Sequence, residues 1–319
     1  MNYLIVGGAG FVGANLVRRC LAEPDAEVVV LDSLDPHLFS TTDHLRDVWA
    51  RIRFVQGDMR DEPLVAELVG PCDVVLNCAA QSSHPLSIRY PQMDVDINCK
   101  GNLTLLEAVR KHNREAIVLF TSSTTVIGRP RRDGCDDAPE QPLDIYSANK
   151  GVAEKYHRIY HTSHDLKTIV LRFSNLFGPY GKEYHELGFV NYFISRAWSD
   201  KPIEIYGSGE QTRNLLFVDD ATEIMLKAIG EPRLIGESRF ATGNDCMSVL
   251  NIAQTIVRVL GRGSVVHVDW PDDRRRMEIG DAQYSSKPLR DLTGWSPRYD
   301  FISGLEKTRA ILEQQTGQQ

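Results

Sequence analysis

Short runs of consecutive apolar residues recur along the first 173 residues of the chain. Each run is apolar at successive positions rather than at alternate ones, which is typical of strands covered by helices on both faces. Between the runs the pattern is helical, and in residues 101–112 Leu103, Leu106 and Val109 fall on one face. Alternating strands and helices predict an α/β fold with a doubly wound parallel sheet. The predicted strands are residues 2–6, 27–31, 53–56, 73–77, 116–120 and 168–173.

The pattern changes after residue 174, where glycines and aromatic residues are frequent. Residues 201–220 predict a strand, a turn and a second strand, and residues 269–281 predict a polar loop. Ser248 is expected to cap a helix whose apolar face comprises Val249, Ile252, Ile256 and Val259. We therefore expect a smaller α/β lobe interleaved with the first domain. The expected first domain comprises residues 1–173 and about 214–260, and the second comprises about 174–213 and 261–319.

Composition narrows the class of protein. The chain has 319 residues with 36 Lys and Arg against 43 Asp and Glu, a net charge of −7. This balance argues against nucleic acid or an anionic membrane as the main partner. No apolar run reaches the ~20 residues that a membrane span requires. The six cysteines form no CxxC pair and no metal-ligand spacing, so we expect reduced thiols, a cytoplasmic location and no bound metal.

The segment LIVGGAGFVGANLV places a glycine-rich loop between the first strand and the first helix. Glycines in this context let backbone amides approach a pyrophosphate at the helix N-terminus. Asp32 ends the second strand and is expected to bind a ribose. Because an acid there repels a 2′-phosphate, and no Lys or Arg follows it before Arg46, the sequence favours NAD over NADP in a Rossmann-type domain. The alternative is a glycine-rich turn that binds nothing. The loop residues expected to contact the cofactor are Gly7, Gly10, Phe11, Val12 and Gly13.

Two further strand ends carry candidate cofactor contacts. GDMRD follows the third strand, and Asp58 there is a candidate acceptor for the adenine amino group, with Met59 beside it. A plain surface turn is the alternative for this segment. NCAAQ follows the fourth strand, and its small residues allow a cofactor to lie close to the backbone. The expected contacts in it are Ala79, Ala80 and Gln81.

Tyr146 and Lys150 in YSANK are four positions apart, which places both on one face of a helix. A phenol has a pKa of about 10 and is a poor base, but a nearby ammonium and an oxidised nicotinamide would both favour the phenolate. Ser123, in the hydroxyl segment after the fifth strand, could hydrogen-bond the same substrate oxygen. Together the three residues predict proton transfer beside a hydride acceptor. The alternative for a YxxxK spacing is a surface pair.

Taken in order, these motifs resemble the extended short-chain dehydrogenases/reductases, in the group of nucleotide-sugar epimerases, dehydratases and decarboxylases. The resemblance covers nearly the whole chain, and its individual motifs are less specific than their ordered set. The segments that carry it are GGAGFVG, GDMRD, NCAAQ, the hydroxyl segment, YSANK, RFSNLFGP, GSGEQTRNLLFVDD and LTGWSP.

The resemblance implies a role for each matching residue. Ser123 and Tyr146 would be catalytic, and Lys150 would tune the tyrosine and hold the nicotinamide ribose. Asn175 and Arg213 would contact a nucleotide-diphosphate sugar, with Arg213 on a phosphate, although a surface salt bridge with Asp219 or Asp220 is the alternative for Arg213. One arginine of the run 274–276 is also expected at the diphosphate, and we assign Arg275; a solvated loop is the alternative. A homodimer is expected from the family.

The resemblance also bears on the reaction, which would begin with oxidation at carbon 4 of the sugar. Related dehydratases carry an Asp–Glu pair at the positions of Thr124 and Thr125, and decarboxylases carry Glu at the second. Hydroxyls cannot act as the acid or base of an elimination, and the missing Glu weakens the decarboxylase interpretation without eliminating it. Ser-Thr-Thr is most similar to the 4-epimerases, so we predict an NAD-dependent nucleotide-sugar 4-epimerase whose substrate contacts include Thr124 and Thr125. A decarboxylase or dehydratase, and a non-catalytic dinucleotide sensor, stay open.

Three positions depart from the family pattern. Ile127 replaces the usual Tyr before Gly128, Asn149 replaces the usual Ser before Lys150, and Asn214 replaces Asp after the phosphate arginine. The charged segment 129–142 is expected either to cover the pocket or to form a surface loop. The sequence identifies neither the nucleotide base nor the sugar.

Overall fold

The computed structural model describes residues 1–38, 40–129, 136, 138–181, 184 and 187–316. Within these residues a seven-stranded parallel sheet forms the centre of the fold, in the order β10-β6-β5-β4-β1-β2-β3. All six predicted strands are confirmed, and the predicted doubly wound α/β fold with them. The strands of this sheet are β1 (Asn2–Val6), β2 (Glu27–Asp32), β3 (Arg53–Gln56), β4 (Val74–Asn77), β5 (Ile117–Ser123), β6 (Lys167–Phe173) and β10 (Ser238–Ala241).

Two smaller sheets lie beyond the carboxyl edge of the central one. In the first, β9 (Thr212–Phe217) pairs in parallel with β7 (Asn175–Phe177) and antiparallel with β11 (Cys246–Ser248). In the second, β8 (Pro202–Tyr206) pairs in parallel with β12 (Ser264–Val268). The predicted strand–turn–strand of residues 201–220 is therefore confirmed, although its two strands join different sheets.

Helices cover both faces of the central sheet and pack against the small sheets. Short 3₁₀ segments at Pro36–Leu38, Thr42–Arg51, Thr124–Ile127 and Pro232–Leu234 and a π-helical turn at Val95–Lys100 complete the fold. The α-helices are α1 (Phe11–Leu21), α2 (Glu62–Val69), α3 (His84–Arg89), α4 (Pro91–Asp94), α5 (Gly101–His112), α6 (Ile145–His164), α7 (Phe189–Trp198), α8 (Val218–Ile229), α9 (Val249–Leu260), α10 (Asp272–Arg276), α11 (Lys287–Thr293) and α12 (Phe301–Thr316).

Buried apolar residues form one core on each face of the central sheet and a third core outside it. α1 and α8 pack on one face, and α2, α5 and α6 pack on the other. The third core joins α7, α9 and α12 around residues such as Phe177, Phe193 and Ile256. The sequence grouped α9 with the first domain, whereas α9 packs in this third core. The division into two domains stays a prediction.

Local sequence explains several helix boundaries and corrects others. Ser248 caps α9 as predicted, because its Oγ accepts from the backbone N–H of Asn251 at 3.1 Å. The predicted polar loop 269–281 contains α10, so a loop throughout is wrong. In α5, Leu105 is buried and Leu103 is only partly buried. Within the described residues, no helix combines the length and the apolar character needed to cross a membrane.

Candidate functional site

The carboxyl ends of the central strands open into a cavity of about 520 Å³. In an open parallel sheet this edge binds ligands where the strand order reverses, which here lies between β1 and β4. Most of the predicted site residues are brought together in its wall. Those that line it are Gly7, Gly10, Phe11, Val12, Gly13, Asp32, Asp58, Met59, Ala79, Ala80, Ser123, Thr124, Thr125, Tyr146, Lys150, Asn175 and Arg213.

The loop between β1 and α1 requires glycine at two positions. Gly7 has a φ of +78°, and a Cβ there would lie 2.6 Å from the backbone nitrogen of Ala79. A Cβ on Gly13 would lie 2.2 Å from the carbonyl oxygen of Gly7. Gly10 lines the cavity and directly precedes α1, so the backbone can approach a bound group at the helix N-terminus. This geometry fits the pyrophosphate of a dinucleotide.

Asp32 lies at the end of β2, beside this loop. Its Oδ2 accepts from the backbone N–H of Ala9 and its Oδ1 from that of Leu34, both at 3.0 Å. These bonds hold the carboxylate in one orientation at the cavity wall. A negative charge fixed there suits ribose hydroxyls and disfavours a 2′-phosphate.

Asp58 lines the cavity but is already paired. The guanidinium of Arg60 donates to both of its carboxylate oxygens, at 2.9 and 2.6 Å. That hydrogen bonding holds the pKa of Asp58 below its ordinary value. Because Asp58 lies in the cavity wall, its position argues against the alternative of a plain surface turn. Arg60 also lines the cavity, and the sequence did not identify it, because its pairing depends on how the turn after β3 folds.

Gln81 is the exception among the NCAAQ residues. Ala79 and Ala80 line the cavity, whereas Gln81 is fully buried, and its Nε2 donates to Asp94 at 2.7 Å and to the carbonyl of Ser83 at 2.8 Å. Both donor protons are therefore used inside the protein. Gln81 was predicted to contact the cofactor, whereas in the structure its side chain binds Asp94.

Tyr146 lies in the first turn of α6, and its side chain is 8% exposed. Asp144 starts this helix by accepting from the backbone N–H of Ser147 at 2.8 Å. Burial raises the pKa of Tyr146, the charge of Asp144 raises it further, and a hydrogen bond with Ser123 lowers it. Burial therefore outweighs the lowering that we expected from a nearby ammonium.

Lys150 lies one turn further along α6, as predicted from the spacing. Its Nζ donates to the carbonyl of Thr121 at 2.8 Å and lies 4.4 Å from the centroid of the Phe120 ring. Burial lowers the pKa of Lys150 to about 8, although the nearby carboxylates of Asp94 and Glu154 favour the cation. The hydrogen bond to Thr121 thus fixes the ammonium in position, although removing its charge from water costs free energy.

The four hydroxyls after residue 121 have different partners. Ser123 ends β5, and its Oγ lies 2.8 Å from Oγ1 of Thr125 and accepts from the backbone N–H of Thr125 at 3.2 Å. Ser122 donates to the buried carboxylate of Glu154. Thr124 is buried and lines the cavity. Ser123 and Thr125 form a hydroxyl pair next to Tyr146, whereas Ser122 has a structural partner.

Arg213 lines the cavity in β9 and forms an ion pair. Its Nη2 lies 2.6 Å from Oε1 of Glu278, and its Nη1 donates to the carbonyl of Gly280 at 2.6 Å. The alternative pairing with Asp219 or Asp220 is wrong, because Lys307 binds Asp219 and the Asp220 carboxylate accepts backbone N–H groups. Asn175, also in the wall, donates to the carbonyl of Asn214 at 3.1 Å.

The arginine run divides between two surfaces. Arg274 lines the cavity, whereas Arg275 lies in a smaller adjoining depression with Trp270 and Glu278. The structure therefore replaces Arg275 with Arg274 as the candidate for a diphosphate contact. α10 decides this outcome, because successive residues of a helix point about 100° apart.

The structure also brings residues to the cavity that sequence reasoning missed. His84, from the start of α3, and Asp144, from the start of α6, lie in its wall with Glu278. Tyr206 and Trp270 form a tilted aromatic pair there, with ring centroids 5.4 Å apart. No spacing rule in the sequence links these residues, which come from separate elements.

The three departures from the family pattern are structural in this chain. Asn149 donates to Asp94 at 2.8 Å, and Asn214 accepts from the backbone N–H of Tyr284 at 2.6 Å. Ile127 is buried in a small apolar cluster. In segment 129–142, residues 130–135 and 137 lie outside the described residues, so both alternatives for that segment stay open.

Comparison with known proteins agrees with this geometry. The model of the NAD dependent epimerase/dehydratase family matches residues 3–242. The chain is 33% identical to the low-salt glycan biosynthesis protein Agl12 of Haloferax volcanii, over 96% of each chain. It is 31% identical to a dTDP-glucose 4,6-dehydratase of Mycolicibacterium smegmatis, over 97% of this chain and 92% of the relative.

A solved structure extends the similarity to the whole fold. The UDP-glucose 4-epimerase of Thermus thermophilus, in complex with NAD, superimposes with a TM-score of 0.87. It is 26% identical in sequence, and the match covers 98% of this chain and 99% of that one. The chain therefore belongs to the NAD-dependent epimerase/dehydratase family of extended short-chain dehydrogenases/reductases.

Proposed function

We propose that the protein is a nucleotide-sugar 4-epimerase that keeps NAD bound and works through a transient 4-keto intermediate. The observation that carries this proposal is the hydroxyl pair of Ser123 and Thr125, 2.8 Å apart beside Tyr146. Where related dehydratases carry an Asp–Glu pair, this chain presents Thr124 and Thr125. A hydroxyl can hold a substrate oxygen, but it cannot act as the acid and base of an elimination.

In the proposed reaction Tyr146 takes the proton of the sugar 4-hydroxyl and later returns it. Ser123 donates a hydrogen bond to the same oxygen. NAD, held by the glycine loop, Asp32 and Lys150, would supply the acceptor for the hydride of carbon 4 and its donor once the 4-keto sugar has turned over in the pocket. No proton or reducing equivalent is consumed in the complete cycle. Thr125 orients Ser123 through their mutual hydrogen bond.

Residues for each part of both ligands are available in the cavity. The glycine loop would hold the pyrophosphate of NAD, Asp32 the adenosine ribose and Lys150 the nicotinamide ribose. Arg213 and Arg274 would contact the diphosphate of the substrate, because a guanidinium pairs with phosphate oxygens. Asn175 would contact the sugar nucleotide.

A nucleotide-sugar decarboxylase or dehydratase is the second candidate. The observation that favours it is Arg274 in the cavity wall, since a guanidinium could hold a sugar carboxylate beside a 4-keto group. The similarity to a dTDP-glucose 4,6-dehydratase points the same way. A dinucleotide sensor without activity is less well supported, because it would not require Ser123, Tyr146 and Lys150 together.

One experiment separates these candidates. The purified protein is incubated with UDP-, dTDP-, CDP- and GDP-sugars without added NAD, and products are followed by mass spectrometry and proton NMR. A 4-epimer of unchanged mass supports the proposal. Loss of carbon dioxide or water supports the second candidate, and complete lack of reaction with NAD tightly bound supports the sensor.

The proposal includes a cytoplasmic homodimer. A cytoplasmic location is supported by the five described cysteines, all of which are free, because the cytosol keeps thiols reduced. Exposed apolar side chains on neighbouring segments support an interface between two copies. Ile88, Tyr90 and Val95 lie in the segment from α3 to the π-helical turn, and Ile159 lies on α6. Light scattering should give the mass of a dimer, and Ile159→Glu should reduce it to that of a monomer.

A further inference from the structure

His84 lies against the phenol of Tyr146 in the wall of the cavity. The two ring centroids are 4.8 Å apart with an interplanar angle of 78°, so the rings meet edge to face. The Nδ1 of His84 lies 2.5 Å from Oδ2 of Asp144. The His84 side chain is 38% exposed and that of Asp144 is 6% exposed. Three side chains from two helices therefore form one contact group: the imidazole, the carboxylate and the phenol.

Asp144 creates a conflict at this point of the fold. α6 needs an acceptor at its N-terminus, and Oδ1 of Asp144 supplies it to the backbone N–H of Ser147 at 2.8 Å. The same negative charge lies two residues before Tyr146 and opposes ionisation of the phenol. The residue that begins the helix thus works against a phenolate on that helix.

We propose that His84 is a positioning residue that offsets the negative charge of Asp144 through its hydrogen bond and fixes the ring of Tyr146, so that the phenol can ionise during the reaction. This inference deepens the proposed function and rests on Tyr146 being its acid/base group. The Nδ1–H of His84 donates to Asp144, and the ring of His84 limits the orientation of the phenol. Although burial favours protonated Asp144, the hydrogen bond and charge of His84 hold the pKa of this carboxyl below its ordinary value.

The charged and hydrogen-bonding groups around the phenol come from three parts of the fold. Asp144, directly before α6, opposes ionisation, Lys150 lies on α6, and the carboxylate of Asp94 on α4 also opposes ionisation. Ser123, at the end of β5, favours the phenolate through its hydrogen bond. Lys150 is bound to the carbonyl of Thr121. His84 contacts both Asp144 and Tyr146 directly.

The test is a mutant cycle on the protein with NAD bound, using the sugar nucleotide that the parent converts. His84→Phe keeps a ring beside Tyr146 but loses the bond to Asp144. Asp144→Asn keeps an acceptor at the helix N-terminus but removes the charge. We expect His84→Phe to move the acidic limb of the kcat profile upward by about one pH unit, because an uncompensated charge at this distance shifts a pKa by roughly 1–3 units. Below that limb kcat should fall about tenfold, with little change in KM.

The double variant decides between positioning and other roles. When Asp144→Asn is combined with His84→Phe, the acidic limb of the kcat profile should return to within a few tenths of a pH unit of its position in the parent. His84→Asn, which can still donate to Asp144, should lie between the parent and His84→Phe. An unchanged acidic limb in His84→Phe, or no rescue by Asp144→Asn, would overturn the inference. Loss of kcat without rescue would mean that His84 acts on the substrate.

The parent protein separates this inference from the proposed function. If the parent converts no sugar nucleotide, the proposed function fails and the inference fails with it. If the parent is active but the pH profile of His84→Phe is not shifted, the inference alone is rejected.

Discussion

The side-chain amide of Asn149 donates a hydrogen bond of 2.8 Å to the fully buried carboxylate of Asp94. Gln81 and Asn98 donate to the same carboxylate at 2.7 and 2.9 Å. Three amides therefore solvate a charge that water does not reach. The carboxylate in turn favours the cationic form of Lys150, the residue that follows Asn149. The amide at position 149 links the helix of the candidate site to this buried charge.

Asn149→Ala tests that link. Removing one donor leaves the buried carboxylate partly unsatisfied, which should lower the free energy of unfolding by about 1–3 kcal/mol. Urea unfolding followed by circular dichroism gives the value. Asn251→Ala, on the exposed side of α9, is the matched control and should change stability by less than about 0.5 kcal/mol. Equal effects of the two substitutions would contradict the role of the amide.

Tyr146→Phe should lower kcat by roughly 10²–10⁴-fold, because the phenol is the proposed proton acceptor. The ring is kept, so the fold should be unchanged. Tyr156→Phe, on the same helix but partly buried against the core on one face of the sheet, should retain parental kcat. Turnover is measured with the sugar nucleotide found by the mass and NMR screen. Parental activity in Tyr146→Phe would refute the proposed acid/base group.

The buried ammonium of Lys150 predicts how stability depends on pH. Its pKa is about 8 in the folded protein and about 10.4 in an unfolded chain. Between these values the unfolded state binds more protons, so stability gains from this group as the pH rises. The parent should therefore gain about 2 kcal/mol relative to Lys150→Met between pH 8 and pH 10. A constant difference in unfolding free energy over that range would contradict the lowered pKa.

Arg274 and Arg275 are adjacent in sequence but lie on different surfaces, so they form a matched pair. Arg274→Ala should weaken binding of a nucleoside diphosphate by about tenfold or more, as expected for loss of a charged hydrogen bond worth about 1.5–3 kcal/mol. Arg275→Ala should have a much smaller effect. Isothermal titration calorimetry with UDP, dTDP, CDP and GDP measures both, using whichever diphosphate the parent binds. A larger loss in Arg275→Ala would reverse the assignment made from α10.

Local patterns in the sequence determined the central sheet, the glycine loop, Asp32 and the spacing of Tyr146 and Lys150. Each depends on residues within one strand, one turn or one helix, where apolar periodicity and glycine geometry act directly. The choice of hydroxyls in place of carboxyl groups at residues 124 and 125 was likewise readable from the sequence, and it supports the proposed reaction. The choice between NAD and NADP required only the acid at the end of β2 and the lack of Lys or Arg between it and Arg46.

Only the tertiary structure decided which partners these residues have. Gln81 turned inward to Asp94, Arg213 paired with Glu278, and His84 met Asp144 from 60 positions away. Such contacts depend on the strand order and on how helices pack across the sheet, and neither hydrophobic period nor motif spacing encodes them. A short helix likewise placed Arg274, rather than Arg275, in the cavity wall. Sequence thus identified the candidate groups for the proposed chemistry, and the packing of distant elements set the charges around them.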